Sequence, residues 1–81
     1  MDKDSVRRLI AAYGKLNADI TDINDDSNLF DAGLTSLNTV NLMLAIEDEY
    51  DIEFDDDSLR RETFESVDAI MSVVSNLIKA A

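Results

Sequence analysis

The side chain best placed for chemistry in this sequence is Ser36, in the run Asp31-Ala32-Gly33-Leu34-Thr35-Ser36-Leu37. Gly33 permits a tight turn, and an apolar-rich helical pattern follows at once, which puts Ser36 at a helix start. A hydroxyl there can act as an N-cap, accepting a backbone N–H and stabilising the helix by about 1 kcal/mol. Hydrolytic chemistry is a poor fit. The chain has no His and no Cys, so it lacks the commonest general base, the commonest transition-metal ligand and any thiolate. A lone serine without a base or an oxyanion partner is not a usable nucleophile. The chain is therefore expected not to be an enzyme.

Three segments must position this serine, each with helical periodicity. In the first, Val6, Leu9, Ile10, Tyr13 and Leu16 share one face, with Asp4 or Ser5 as cap and Asn17 as stop. The middle helix is predicted over Ser36 to Tyr50. Leu37, Val40, Leu44 and Glu47 lie on one face, and Leu42, Met43, Ala45, Ile46 and Tyr50 widen the apolar surface. Such a helix is expected to be central and packed on several sides. The third shows Val67, Ile70, Met71, Val74, Leu77 and Ile78 as a buried stripe, with Ser66 as N-cap and Asp68 suited to the helix dipole.

Residues 18–35 form a long connection rich in turn formers, pinned to the bundle by Ile20, Ile23, Leu29 and Phe30. Ordered loops of this length in small domains tend to be functional. Between Tyr50 and Ser66, residues Ser58 to Glu62 have room for a turn or two of helix. The expected architecture is an all-α bundle over residues 1–81, a single domain of three main helices plus a short extra one before the last.

Eighteen acids against seven bases give a net charge of −11. This repels phosphate backbones and anionic membranes, and cationic protein partners are the natural complement. With no Trp and only five aromatics, stacking platforms for bases are also improbable. No apolar run approaches the ~20 residues of a membrane span, and no signal peptide opens the chain, so a cytoplasmic monomer is expected, with no nucleic acid or membrane partner.

The run Leu29 to Tyr50, LFDAGLTSLNTVNLMLAIEDEY, resembles the heart of the acyl carrier protein family. Gly33, Ser36, Leu37, Val40, Leu42, Ile46, Glu47 and Tyr50 match that family's pattern without a gap. Asp51-Ile52-Glu53-Phe54 and Phe64 to Ile70 are similar to its later segments, so the likeness spans nearly the whole chain. The resemblance implies a carrier whose Ser36 receives 4'-phosphopantetheine from coenzyme A through a phosphopantetheinyl transferase. The arm's thiol then holds acyl groups as thioesters. The capping and attachment readings are compatible, and a phosphodiester at a helix N-terminus is favoured by free N–H groups and the dipole.

The sequence departs from the family where acids are usual. Thr35 replaces the Asp before the serine, Asn38 and Asn41 replace frequent acids, and residues 32–46 carry no charge. Eight acids crowd residues 47–57 instead. Partner recognition is expected to rest on Gly33, Thr35, Leu37, Thr39, Val40 and Met43. The Gly-Leu-Thr-Ser-Leu and Arg60-Arg61-Glu62-Thr63-Phe64 segments resemble bacterial carriers charged with amino acids by stand-alone synthetase-like ligases. This implies a specialised carrier with a dedicated acyl- or aminoacyl-loading ligase and downstream transferases.

Other readings compete. Asp51 to Glu62 imitates an EF-hand loop, but Asp56 stands where Gly is required and Ser58 where an apolar residue belongs, so no metal site is expected. Leu42, Met43, Ile46 and Ile70 either pack the core or border a slot for a fatty chain. The alternative function is an acidic helical interaction domain without a prosthetic group.

Overall fold

A computed structural model describes residues 2–80. Three α-helices, α1 (Lys3–Tyr13), α2 (Ser36–Tyr50) and α3 (Val67–Ala80), form a bundle, and there is no strand among the described residues. The first helix begins earlier than its periodicity indicates. Asp2, extended at φ −125°, caps it by accepting the Ser5 N–H at 2.7 Å. That bond is the first cause holding the Asp2 carboxyl below its ordinary range. The helix also ends early, at Tyr13. The Gly14 N–H closes it on the Ile10 carbonyl at 2.8 Å, and Lys15 turns the chain with φ 53°, so Asn17 lies beyond the stop.

The core draws one stripe from each helix. Val6 and Ile10 of α1, Leu42 and Ile46 of α2, and Val67, Ile70 and Val74 of α3 are all fully buried. Leu29, also fully buried, enters from the first connection. Phe54 and Phe64 close one side with ring centroids 5.5 Å apart and planes tilted at 51°, a favourable aromatic geometry. Leu42, Ile46 and Ile70 therefore pack the core, as the first of their two readings has it.

The middle helix is less enclosed than expected. Its ends fall at Ser36 and Tyr50 as the sequence indicates, but Leu37, Val40 and Leu44 are 71%, 48% and 53% exposed. Periodicity identifies an apolar face without saying that anything covers it. Here the Leu42–Ile46 face turns to the core with Met43 and Tyr50 partly buried beside it, while Leu37, Val40 and Leu44 meet water.

The first connection is held by hydrogen bonds rather than by regular structure. A 3-10 turn spans Ile20–Asp22, and Asn28 Oδ1 accepts the N–H groups of Phe30 and Asp31 at 2.9 and 3.1 Å. The Asn17 N–H reaches the Ala32 carbonyl at 2.8 Å, closing the loop on itself. Arg7 of α1 clamps it from outside: one Nη donates to Asp25 at 2.9 Å, the other to the Ile20 and Ile23 carbonyls at 2.5 and 2.6 Å. Lys3 adds a 2.7 Å ion pair to the same Asp25. The Leu29 N–H bonds the Glu65 carbonyl at 2.7 Å, and the Asp68 N–H bonds the Asp25 carbonyl at 3.0 Å, so the loop is also tied to the start of α3.

The second connection is reached through Asp51, whose left-handed φ of 53° ends α2. Glu47 Oε2 then accepts the Phe54 N–H at 2.9 Å. The short extra helix expected near Ser58–Glu62 is two 3-10 turns, Asp56–Ser58 and Arg61–Phe64. Asp and Ser side chains here bond the local backbone and compete with a longer helix. Asp55 Oδ1 accepts the Ser58 N–H at 2.8 Å, and Thr63 Oγ1 donates to the Ser58 carbonyl at 2.7 Å. The last helix is capped as predicted, with Ser66 Oγ accepting the Ala69 N–H at 3.0 Å.

Candidate functional site

The turn before α2 delivers Ser36 to the surface. Gly33 has φ +110°, a conformation L side chains rarely adopt, and a Cβ there would lie 2.7 Å from Asn17 Nδ2 and 3.0 Å from the Asn17 backbone nitrogen. Its N–H bonds the Phe30 carbonyl at 3.1 Å. Leu34, nearly fully buried, anchors the chain two residues before the serine, and its N–H bonds the Leu29 carbonyl at 3.0 Å. Gly33 thus shapes the turn from a half-buried position.

The cap of α2 is Thr35. Its Oγ1 accepts the Asn38 N–H at 3.1 Å, and its carbonyl accepts both the Thr39 N–H and the Thr39 hydroxyl. Ser36 is the first helical residue, not the cap, which corrects the capping reading of its hydroxyl. It is exposed and makes no side-chain hydrogen bond among the described residues. The N–H groups of Ser36 and Leu37 lie in the first turn, where no intrahelical acceptor exists. That turn also contains no acid, so nothing negative competes for its positive end.

Beside Ser36 opens a cleft of about 300 Å³. From α2 it takes Thr39, Val40 and Met43, three of the residues singled out in the sequence. Leu37 projects from the same helix at 71% exposure but does not line the cleft. The opposite wall is Phe30, Leu59, Arg60, Arg61 and Phe64, none of which had been picked out as site residues. The Arg61 guanidinium carbon sits 3.8 Å from the Phe30 ring centroid, a cation–π contact. The signal for the arginines was present in the sequence: among residues 18–81 the only bases are Arg60, Arg61 and Lys79. What the sequence does not carry is their approach to α2, which the second connection makes by folding back.

No group of three or more Asp or Glu among the described residues is arranged to hold a metal ion. Among those residues, too, no helix is long and apolar enough to cross a membrane.

The family model described as "Phosphopantetheine attachment site" matches residues 4–74. The chain belongs to this family. Its prosthetic group is 4'-phosphopantetheine, and its members carry cargo rather than catalyse. The chain is 39% identical over 74 residues to an "Aminoacyl carrier protein" of Agrobacterium fabrum, a match covering 91% of this chain and 89% of that one. The fold is similar to the carrier protein from Agrobacterium tumefaciens in a crystal structure with AMP and an engineered glycine:[carrier protein] ligase of Bradyrhizobium japonicum. That likeness has a TM-score of 0.88 at 39% identity and covers 91% of this chain and 99% of that one. A second similar structure is the Bradyrhizobium japonicum ligase complexed with glycylated carrier protein. There the TM-score is 0.75 at 30% identity, over 88% and 95% of the two chains. The expected carrier family and all-α fold are both borne out.

Proposed function

We propose that this carrier, one domain spanning residues 1–81, bears its 4'-phosphopantetheine arm on Ser36 and presents aminoacyl groups as thioesters to cytoplasmic partner enzymes. The observation that carries the reading is the Ser36 hydroxyl itself: exposed, without a hydrogen-bond partner among the described residues, and at the N-terminus of α2, beside N–H groups suited to a phosphodiester. Because Thr35 supplies the cap, esterifying Ser36 removes no helix-stabilising bond. The arm supplies a thiol, which this Cys-free chain otherwise lacks. The protein's own part is to hold the attachment oxygen at a fixed place and offer the surface around it.

An aminoacyl cargo is supported by the relatives, one called an aminoacyl carrier protein and another seen glycylated. It is also supported by the closed core. Leu42, Ile46 and Ile70 are fully buried, and a fatty chain entering between them would have to displace native packing. The reading requires a phosphopantetheinyl transferase, a dedicated loading ligase and downstream transferases. Thr35, Leu37, Thr39, Val40 and Met43 meet these partners, and Gly33 acts through the turn it shapes.

Intact-mass measurement tests the reading. Incubation with coenzyme A and a transferase should add one phosphopantetheine, and Ser36→Ala should abolish the addition. The holo-protein, offered amino acids, ATP and a stand-alone ligase, should then gain an aminoacyl mass. Exclusive loading by a fatty-acid malonyl transferase would defeat the aminoacyl reading. No mass gain from coenzyme A would defeat attachment, leaving an interaction domain without the arm.

A further inference from the structure

The charge around Ser36 runs against that of the whole molecule. The chain has a net charge of −11, yet the only charged side chains lining the cleft beside Ser36 are Arg60 and Arg61. Neither arginine forms an ion pair among the described residues, where the ion pairs are those of Lys3 and Arg7 with Asp25. Both are nonetheless held. Arg60 donates its Nε to the Asp57 carbonyl at 2.6 Å, and Arg61 stacks over Phe30. A guanidinium has five N–H donors, so most of this capacity stays uncommitted and faces water. Beside it, Val40 and Leu59 are each 48% exposed along the cleft, and Leu37 lies one helical turn away at 71%.

We propose that this cleft is a docking surface for an enzyme patch combining apolar side chains with carboxylates, Arg60 and Arg61 supplying the charge recognition. This rests on the carrier reading above and names the partner chemistry that the reading leaves open. Charge complementarity carries it. A basic partner would be drawn to the acids of residues 47–57, but its cations would meet repulsion at the cleft. A patch with carboxylates gains arginine forks that match carboxylate geometry, and its apolar groups cover Leu37, Val40 and Leu59. Along α2 itself the first acid is Glu47, about 16 Å from Ser36 at 1.5 Å per residue, whereas Asp55, Asp57 and Glu62 line the depression on the far side of Arg60.

The test uses holo-protein and the glycine:[carrier protein] ligase of Bradyrhizobium japonicum as probe, with ATP and glycine. Initial rates of glycylation are measured against carrier concentration at low and high salt. For R60E/R61E the KM for carrier should rise about tenfold or more with kcat preserved, while R60K/R61K, which keeps the charge without the fork, should fall between. The wild-type rate should drop as salt rises, and the drop should flatten or reverse in R60E/R61E, because the attraction has been replaced by a repulsion that salt screens. Both arginines are exposed, and circular dichroism with a thermal melt checks that the fold is kept. If R60E/R61E destabilises the protein, R60A/R61A gives the same comparison without adding acids. An unchanged or lower KM in these variants overturns the docking inference while leaving the carrier function standing. A wild-type holo-protein that this ligase does not glycylate counts against the aminoacyl reading, and the docking inference falls with it.

Discussion

Thr35 and Ser36 divide two tasks that the sequence pattern assigns to one residue: Thr35 Oγ1 takes the Asn38 N–H at 3.1 Å, and the neighbouring Ser36 hydroxyl makes no hydrogen bond among the described residues. An attachment oxygen that also capped its helix would exchange one role for the other each time the arm was added. Here the two are separable. Thr35→Ala should destabilise the protein by about 1 kcal/mol, whereas Ser36→Ala should change stability by only a few tenths. Thermal melts of the two variants check this, since about 1 kcal/mol shifts Tm by roughly 4–8 °C in a domain of this size. Equal losses would show that Ser36 shares the cap.

Gly33 offers a second test. Its φ of +110° and the close approach of Asn17 leave no room for a side chain. Gly33→Ala should cost about 2–3 kcal/mol. The same change paired with Asn17→Gly should recover only part of this, because the backbone strain remains.

The clamp on the long loop should respond to pH. The hydrogen bond and charge of Lys3, with the charge of Arg7, hold the Asp25 carboxyl below its ordinary range, and the same contact raises Lys3. A depressed carboxyl contributes stability above its unfolded value, near 3.9, and loses it as pH falls through the lower folded value. A raised lysine contributes below its unfolded value, near 10.4, and loses this as pH rises past the higher folded value. Amide protection around Ile20–Asp25 should therefore fade at both extremes and hold between them, as hydrogen exchange can follow. Removing Arg7 should act across the whole range. Arg7→Ala strips partners from two carbonyls and a carboxylate and should cost about 2–3 kcal/mol.

Glu47 is a structural member of the acid-rich stretch, accepting the part-buried Phe54 N–H at 2.9 Å. Glu47→Gln keeps an acceptor and should be nearly neutral in urea melts. Glu47→Ala leaves that N–H unpaired and should cost about 1–2 kcal/mol. Equal midpoints for the two variants would contradict this role.

Much of this was legible in advance, for reasons that differ by element. The middle helix shows both its ends, Thr35-Ser36 at one and Tyr50-Asp51 at the other, because capping chemistry is local. The start of the first helix was read at Asp4 or Ser5 because any of several polar residues suits a cap; the chain uses Asp2, whose carboxylate takes the Ser5 N–H while Asp4 and Ser5 are already helical. Exposure of Leu37, Val40 and Leu44 was not legible, since a periodic apolar face looks the same whether or not a neighbour covers it. The arginine wall was missed for a related reason. Residues 60 and 61 reach Ser36 through a connection whose path depends on Glu47, Asp51 and Thr63, and no local pattern encodes that path.

Leu34 is sunk in the interior two positions before the serine, and the loop leading to it is fastened to α1 and α3. On the proposed attachment, the oxygen that would bear the tether is thus a fixed post on a small, tightly fastened body. Whatever swing the cargo enjoys belongs to the tether, and its reach is a radius drawn from one fixed origin. An enzyme docked on the carrier must hold its reaction centre inside that radius, since the post does not shift within the carrier to meet it.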